Sequence, residues 1–531
     1  MLKNLQHITG LLESKIRSSQ QVFNGNNNKL YKVLSVLIFF LALSSFYSYV
    51  GIYEHISERP CSIHSSAQCM RASVALNYYN IDMNFFKPRI QRFYNSDGIT
   101  GIEFPIVYYA GAIAYKIFGY NDAYLRIISL LIVTLGIFAF YLLSRQFLRN
   151  TLLSLLVVCS VIVSPVLLYY SANFLPDAPA FAFVLFAWYF FFRYITSNKA
   201  KHLNLFVVFG TLAALIKVIS VMCFFVVFCI LILDILKFFK DESRGSLFLN
   251  KKKILVRSLL GMFVVICWYA YARIMASIYG NPPTAMEPMM VFDEGTLRTV
   301  WKYAQNWIFD YYSSETYTFL GCAIVLTAFN IKRVNKLLLS ITVIYILGSV
   351  CYVILFLYQF MHHDYYIIAM LPCVFFFMLT FFDAVNRFSV KKSMLINMLF
   401  IIIIFFNVKE SIEKCRENYF FRFDAKVYLS GEFRQYYDLG PRLKALGIRR
   451  EDKFACAFDD SYSNSLYFIN QAGFTIENDL STEKISEILN APDVKYLIVS
   501  DSAKFNKVYP NNYAKDIILY HRGLIIYKLP K

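Results

Sequence analysis

The chain has 531 residues, of which 58% are hydrophobic and 18% aromatic, with a mean hydropathy of +0.48. So much apolar side chain excludes a soluble globular domain and predicts a polytopic α-helical membrane protein. The net charge of +18 does not point to nucleic acid, because Lys and Arg fall in short clusters between apolar runs, as they do in cytoplasmic loops.

Residues 1–32 are polar and basic, carry an Asn-rich patch at Asn26–Asn28, lack a cleavable signal pattern, and read as a cytoplasmic segment. A membrane domain over 33–408 follows, opening with a span at 33–53. The next stretch, 54–122, is an outer region: a polar loop to 104, then an apolar run. That run, Thr100–Gly119 (TGIEFPIVYYAGAIAYKIFG), sets the sidedness of the rest. The part from Pro105 to Phe118 would rise only about 21 Å as a helix, against a hydrocarbon core of about 30 Å. It therefore reads as a helix lying in the interface, with Pro105 in its first turn and Gly119 at its end.

Further spans are expected at about 123–144, 152–170, 175–194, 203–217, 218–236, 254–279, 316–331, 337–358, 365–384 and 393–408, eleven in all. With this topology the inner segments are 1–32, 145–150, 193–202, 237–257, 332–336 and 387–392. They hold 23 Lys or Arg and three acids, Glu13, Asp241 and Glu242, so the positive-inside rule is met at every turn. Had 105–118 been a span, every later cluster would lie outside. The tail, 409–531, changes composition and reads as a small extracytoplasmic α/β domain, with strand-like runs at Phe454–Phe458 and Tyr496–Val499 and turn signals at Gly440-Pro441 and Ala491-Pro492.

Most cysteines lie in apolar runs and read as small buried hydrophobes. Cys61 and Cys69 share the outer loop, where a disulfide and two free thiols are both open readings. Four polar features gather on the outer side. Glu103 precedes the interfacial helix, where it serves as a helix-start acid or a site carboxylate. Asp177, bracketed by Pro176 and Pro179, either caps a helix or faces a cavity. Lys217 interrupts a 34-residue apolar run and must either snorkel outward or hold an anion. The fourth is His362-His363-Asp364-Tyr365-Tyr366. Adjacent imidazoles do not share a helix face, so this is no metal clamp of the HExxH type. The first loop adds His64, Gln68, Arg71, Asp82, Lys87, Arg89 and Asp97, a mixture suited to an anionic lipid headgroup and a proton acceptor, or to plain solvation.

With its motifs at TGIEFPIVYYAGAIAYKIFG, YYSANFLPDAPAF, ALIKVIS and HHDYY, the chain resembles the GT-C membrane glycosyltransferases over about 33–384, specifically the bacterial branch related to protein O-mannosyltransferases and aminoarabinose transferases. The tail, at LGPRLKALGIRREDKFACAFDDSYSNSLYFINQAGFT, is similar to the small outer domain of bacterial members. The resemblance implies inverting transfer of a sugar from a polyprenyl-phosphate carrier to an envelope glycan, lipid or protein outside the bacterial cytoplasmic membrane. It implies catalytic or metal-binding roles for Glu103, a site role for Asp177, and a phosphate contact for Lys217. It also implies a divalent ion shared by Glu103 with His362 or His363. His64, Arg71, Lys87, Arg89, Tyr365 and Tyr366 are expected to line the substrate. Relatives carry an acid early in the first loop as general base; here Met70 aligns with it, which leaves Asp82, Asp97 and Glu103 as candidates. A lipid-linked sugar transporter or flippase, and a non-catalytic relative, are the competing readings; the gathering of charges on one face favours the enzyme.

Overall fold

A computed structural model describes residues 29–93, 97–148, 150–239, 246–280, 290–388, 394–424, 433–461, 463–508 and 516–530. The N-terminal segment through residue 28 lies outside the described residues, as do parts of the basic loops at 240–245 and 389–393.

Among the described residues seven helices are long and apolar enough to cross a membrane: Val33–Val50 within α1 (Lys29–Val50), α4 (Ala123–Leu148), α7 (Asp177–Ser197), Val218–Ile235 ending in α9 (Met222–Ile235), α10 (Lys251–Tyr279), α13 (Lys336–Leu355), and Asp364–Arg387 within a 3-10 turn and α14 (Leu371–Phe388). α4, α7 and the α14 segment are 56–67% buried in their most apolar stretches, whereas α1 and α10 are 22–28% buried, so the former make the bundle centre and the latter present apolar faces outward. At the centre, the Trp188 indole donates to the Tyr345 hydroxyl at 2.6 Å, which satisfies a polar group that burial would otherwise penalise.

The span expected at 152–170 is broken. α5 (Thr151–Ile162) and α6 (Pro165–Ser171) meet at 87°, and counted as one span they make eight. Ser164 caps α6 by accepting from Leu167 N, with Pro165 in its first turn, so a new helix starts where the apolar run alone showed no stop. α8 (Ala200–Ile216) and α12 (Ser314–Phe329) are apolar but shorter than the spanning helices, and the count of eleven is not reproduced by length. α15 (Met394–Arg422) runs unbroken through 408/409, so the change of composition there falls inside a helix.

The outer region contains a helix that its polarity hid, α2 (Ser65–Asn80), packed against α3 (Ile106–Phe118). α3 has the expected length. Val107, Tyr108, Gly111, Ala112 and Tyr115 form its buried stripe, while Ile113, Ile117 and Phe118 are exposed. A Cβ on Gly111 would meet Leu125 at 2.3 Å, so this glycine allows α3 to lie close on α4.

Beyond α15, a five-stranded sheet has the order β2-β1-β3-β5-β4, with β1 (Lys453–Ala457), β2 (Gly473–Ile476) and β3 (Val494–Val499) parallel and β5 (Leu524–Lys528) and β4 (Asp516–His521) antiparallel. Both expected strand runs are present. The two-residue alternation of β1 sends Phe454 and Cys456 toward a core shared with α2 and α3, and Ala455 and Ala457 toward a separate core under α18 (Thr482–Leu489). This C-terminal domain is therefore docked on α2 and α3, not tethered. The first loop extends the sheet beside β2, with Phe93 N donating to Gly473 O at 2.7 Å and Gly473 N to Gln91 O at 3.1 Å. The Arg59 guanidinium lies 4.9–5.6 Å from the ring centres of Tyr437, Tyr467 and Phe468 and pairs with Asp122 at 3.3 Å.

Candidate functional site

Lys217 stands in an extended break between α8 and a 3-10 turn, and Asp177 opens α7. Their Nζ and Oδ1 are 2.7 Å apart, with Asp177 almost fully buried. The ammonium also lies 4.6 Å from the centre of the Tyr366 ring and 5.2 Å from that of Tyr365, both carried on the 3-10 turn before α14. A lone lysine at this depth would be costly; a carboxylate and two aromatic faces offset that cost and still leave ammonium protons for an anion.

Next to this pair, the Glu103 carboxylate accepts from Arg71 Nε at 3.1 Å and from the Tyr108 hydroxyl at 2.6 Å. Arg71 lies on α2 and Tyr108 on α3, so Glu103 ties the two outer helices together. Its own segment is held from the bundle side: Phe104 N donates to Leu215 O at 3.0 Å and the Trp268 indole to Ile102 O at 3.2 Å. Burial opposes the charge on Arg71, but Glu103 more than offsets it, and the guanidinium pKa is raised. Arg71 also acts electrostatically on Asp177 and Tyr365, so both cations serve one place.

A third group centres on Asp364, which lies in the HHDYY run but was assigned no role from sequence. Asp364, wholly buried, accepts from the Tyr170 hydroxyl at 2.6 Å and from Arg422 Nη2 at 2.8 Å, and lies 3.0 Å from His64 Nε2. His64 precedes α2 in the left-handed region, φ 58° and ψ 31°, at a cost of roughly 1–2 kcal/mol that the contacts around it must offset. Its ring centre is 5.1 Å from that of Tyr365 and 5.6 Å from that of His363. His363 Nδ1 is 3.1 Å from the Tyr365 hydroxyl. Burial, reinforced by His64, Lys217, Arg71 and His362, pushes the His363 imidazole down to about 3, so it is neutral at physiological pH.

The structure thus gathers His64, Arg71, Glu103, Asp177, Lys217, His363, Tyr365 and Tyr366. Other candidates have different partners. Asp82 pairs with Arg89 at 2.7 Å and accepts from Asn84 N, Lys87 is half-buried on the same turn, and Asp97 is exposed. Cys61 and Cys69 are buried free thiols, and Met70 packs against the core shared by α2 and the outer domain. The ion expected at Glu103 with His362 or His363 finds no fitting set. Among the described residues no three His, Cys, Asp or Glu side chains are placed to hold a metal. Glu103 is engaged by Arg71 and Tyr108, His363 by Tyr365, and His362 is exposed with its ring 5.4 Å from Tyr358.

The sequence profile of the dolichyl-phosphate-mannose-protein mannosyltransferase family matches residues 103–271, from Glu103 through Asp177 and Lys217 to Tyr271. No curated protein sequence matches the chain. Among solved structures, ArnT from Cupriavidus metallidurans bound to undecaprenyl phosphate is similar with a TM-score of 0.60 at 8% identity, over 93% of this chain and 97% of that one. The oligosaccharyltransferase of Archaeoglobus fulgidus, in complex with Zn and sulfate, is similar with a TM-score of 0.53 at 12% identity, over 87% of this chain and 69% of that one. The arabinofuranosyltransferase AftD from Mycobacteria is similar with a TM-score of 0.54 at 9% identity, over 93% of this chain and 40% of that one.

Proposed function

Because this chain is a multi-pass membrane protein with the GT-C fold of membrane glycosyltransferases, we propose that it transfers a sugar from a polyprenyl-phosphate carrier to an envelope glycan, lipid or protein. The observation that carries the reading is the convergence of Lys217 and Arg71, two cations kept in a largely buried place beside the Tyr365 and Tyr366 rings. Cations in a water-poor site act on charge that develops during the reaction, and a departing phosphate is such a charge. The likeness to ArnT bound to undecaprenyl phosphate supports the choice of carrier.

In this reading the acceptor oxygen attacks the anomeric carbon from the side opposite the phosphate, with inversion. Lys217 and Arg71 hold the phosphate as its bond to the sugar breaks. Asp177 and Glu103 keep the two cations charged and aimed. The site and the docked outer domain face away from the cytoplasm, on the outer side of a bacterial inner membrane. The basic loops support that placement.

The test uses the full chain in liposomes without an ion gradient, labelled sugars carried on undecaprenyl phosphate, and the envelope fraction of cells lacking the chain as acceptor. Label should pass to the envelope fraction. Lys217→Ala and Glu103→Ala should each lower the rate at least about 100-fold, the scale set by losing one electrostatic stabiliser. Undiminished transfer in both variants, or none from any carrier-linked sugar with the wild type, refutes the proposal.

A further inference from the structure

Each acid considered for a catalytic role is spoken for or turned outward. Glu103 is paired with Arg71, Asp177 with Lys217 and Asp82 with Arg89, while Asp97 is exposed. Each of these paired carboxylates already serves to balance its cation. Met70 supplies no base. The wholly buried Asp364, by contrast, lies 3.0 Å from a histidine whose second ring nitrogen is uncommitted: among the described residues His64 Nδ1 has no hydrogen-bond partner, and the side chain keeps 14% of its surface exposed.

Building on the transferase reading, we infer that His64 is the general base and Asp364 the residue that positions it. Asp364 cannot be the base itself, because Tyr170 and Arg422 already occupy it. It accepts Nε2–H of His64, which places the lone pair on Nδ1 and stabilises the imidazolium once formed. The groups around His64 are Asp364, His363 and Tyr365, with Arg422 and Tyr170 behind the carboxylate. Distances fit the task. His64 and the Lys217 ammonium each lie about 5 Å from the centre of the Tyr365 ring, so they are at most about 10 Å apart. Inverting glycoside hydrolases place their two catalytic carboxyl groups about 6.5–9.5 Å apart, with the attacking water between.

The step balances. The acceptor hydroxyl proton passes to His64 Nδ1 as its oxygen bonds to the anomeric carbon. The bond from that carbon to the phosphate oxygen breaks, and its electron pair stays on the phosphate beside Lys217 and Arg71. The imidazolium then returns its proton to water.

The liposome assay decides the matter, with undecaprenyl phosphate binding measured alongside. His64→Ala should bind undecaprenyl phosphate within about twofold of wild type and transfer at least about 100-fold more slowly, the range of general-base catalysis. Added imidazole should restore its transfer at least tenfold, which no structural role explains. His64→Gln, closer in size, should be equally slow. Asp364→Asn should lower kcat at least about tenfold while leaving KM for the carrier within about twofold of wild type, as loss of a positioning residue requires. Transfer by His64→Ala within threefold of wild type overturns the inference, as does a slow variant that binds undecaprenyl phosphate and ignores imidazole. Neither result touches the transferase reading, which falls only if the wild type fails to transfer.

Discussion

Lys217 and Asp177 separate what a residue does for stability from what it does for function. Each is tolerable at depth because the other is 2.7 Å away, and removing one partner of a buried pair costs about 3–5 kcal/mol because the remaining charge is stranded. Asp177→Ala should therefore lower the unfolding temperature in detergent markedly, whereas the Asp177→Asn, Lys217→Met double variant should recover much of that loss and still fail to transfer. If the double variant unfolds as readily as the single, the pair is not the balanced unit its geometry indicates. His363 makes a second prediction. Its imidazole is held down to about 3 by burial first and by His64, Lys217, Arg71 and His362 next, whereas an unfolded histidine titrates near about 6.5. Between those values the unfolded chain binds a proton that the folded chain refuses. This contribution is whole above about pH 6.5 and is lost as pH falls, by at most about 1.4 kcal/mol per unit. His363→Phe should shrink the drop in unfolding temperature between pH 7 and pH 5; an undiminished drop counts against the buried neutral imidazole.

The elements carry the site through a few close approaches. Gly101 is one: a Cβ there would come within 2.0 Å of the Ala272 carbonyl oxygen of α10. Gly101→Ala should force the segment leading to Glu103 off α10, parting Glu103 from Arg71 and slowing transfer about tenfold or more while the bundle stays folded; a wild-type rate would show that the segment absorbs the shift. α3 and the break at Lys217 were legible because proline, glycine and a charge punctuate apolar runs. The break at Ser164-Pro165 was not, since a proline inside a continuous apolar run fits a kinked span as well as a new helix. α2 escaped because its buried face includes Gln68, Ser73 and Asn77, polar residues that donate to backbone carbonyls, so no apolar stripe marks the helix. The Asp364 cluster escaped for another reason: its partners His64, Tyr170 and Arg422 lie 300, 194 and 58 positions away, a proximity only the fold creates.

In the whole molecule the outer domain is a structural neighbour of the site. It packs on α2, the helix that carries Arg71 and begins just after His64, and Arg450 and Asn470 bond to Asn77 and Asn80 on that helix. Arg422, at the end of α15, reaches back to Asp364. Both connections require the C-terminal domain and the site to share one side of the membrane, and the proposed topology puts the basic loops on the other. An alkaline phosphatase reporter, active only outside the cytoplasm, should therefore be active when fused after the outer domain and inactive when fused in the loop at 332–336. Equal activity at the two points would mean that these segments lie on one side, and the proposed direction of transfer would fail with the topology.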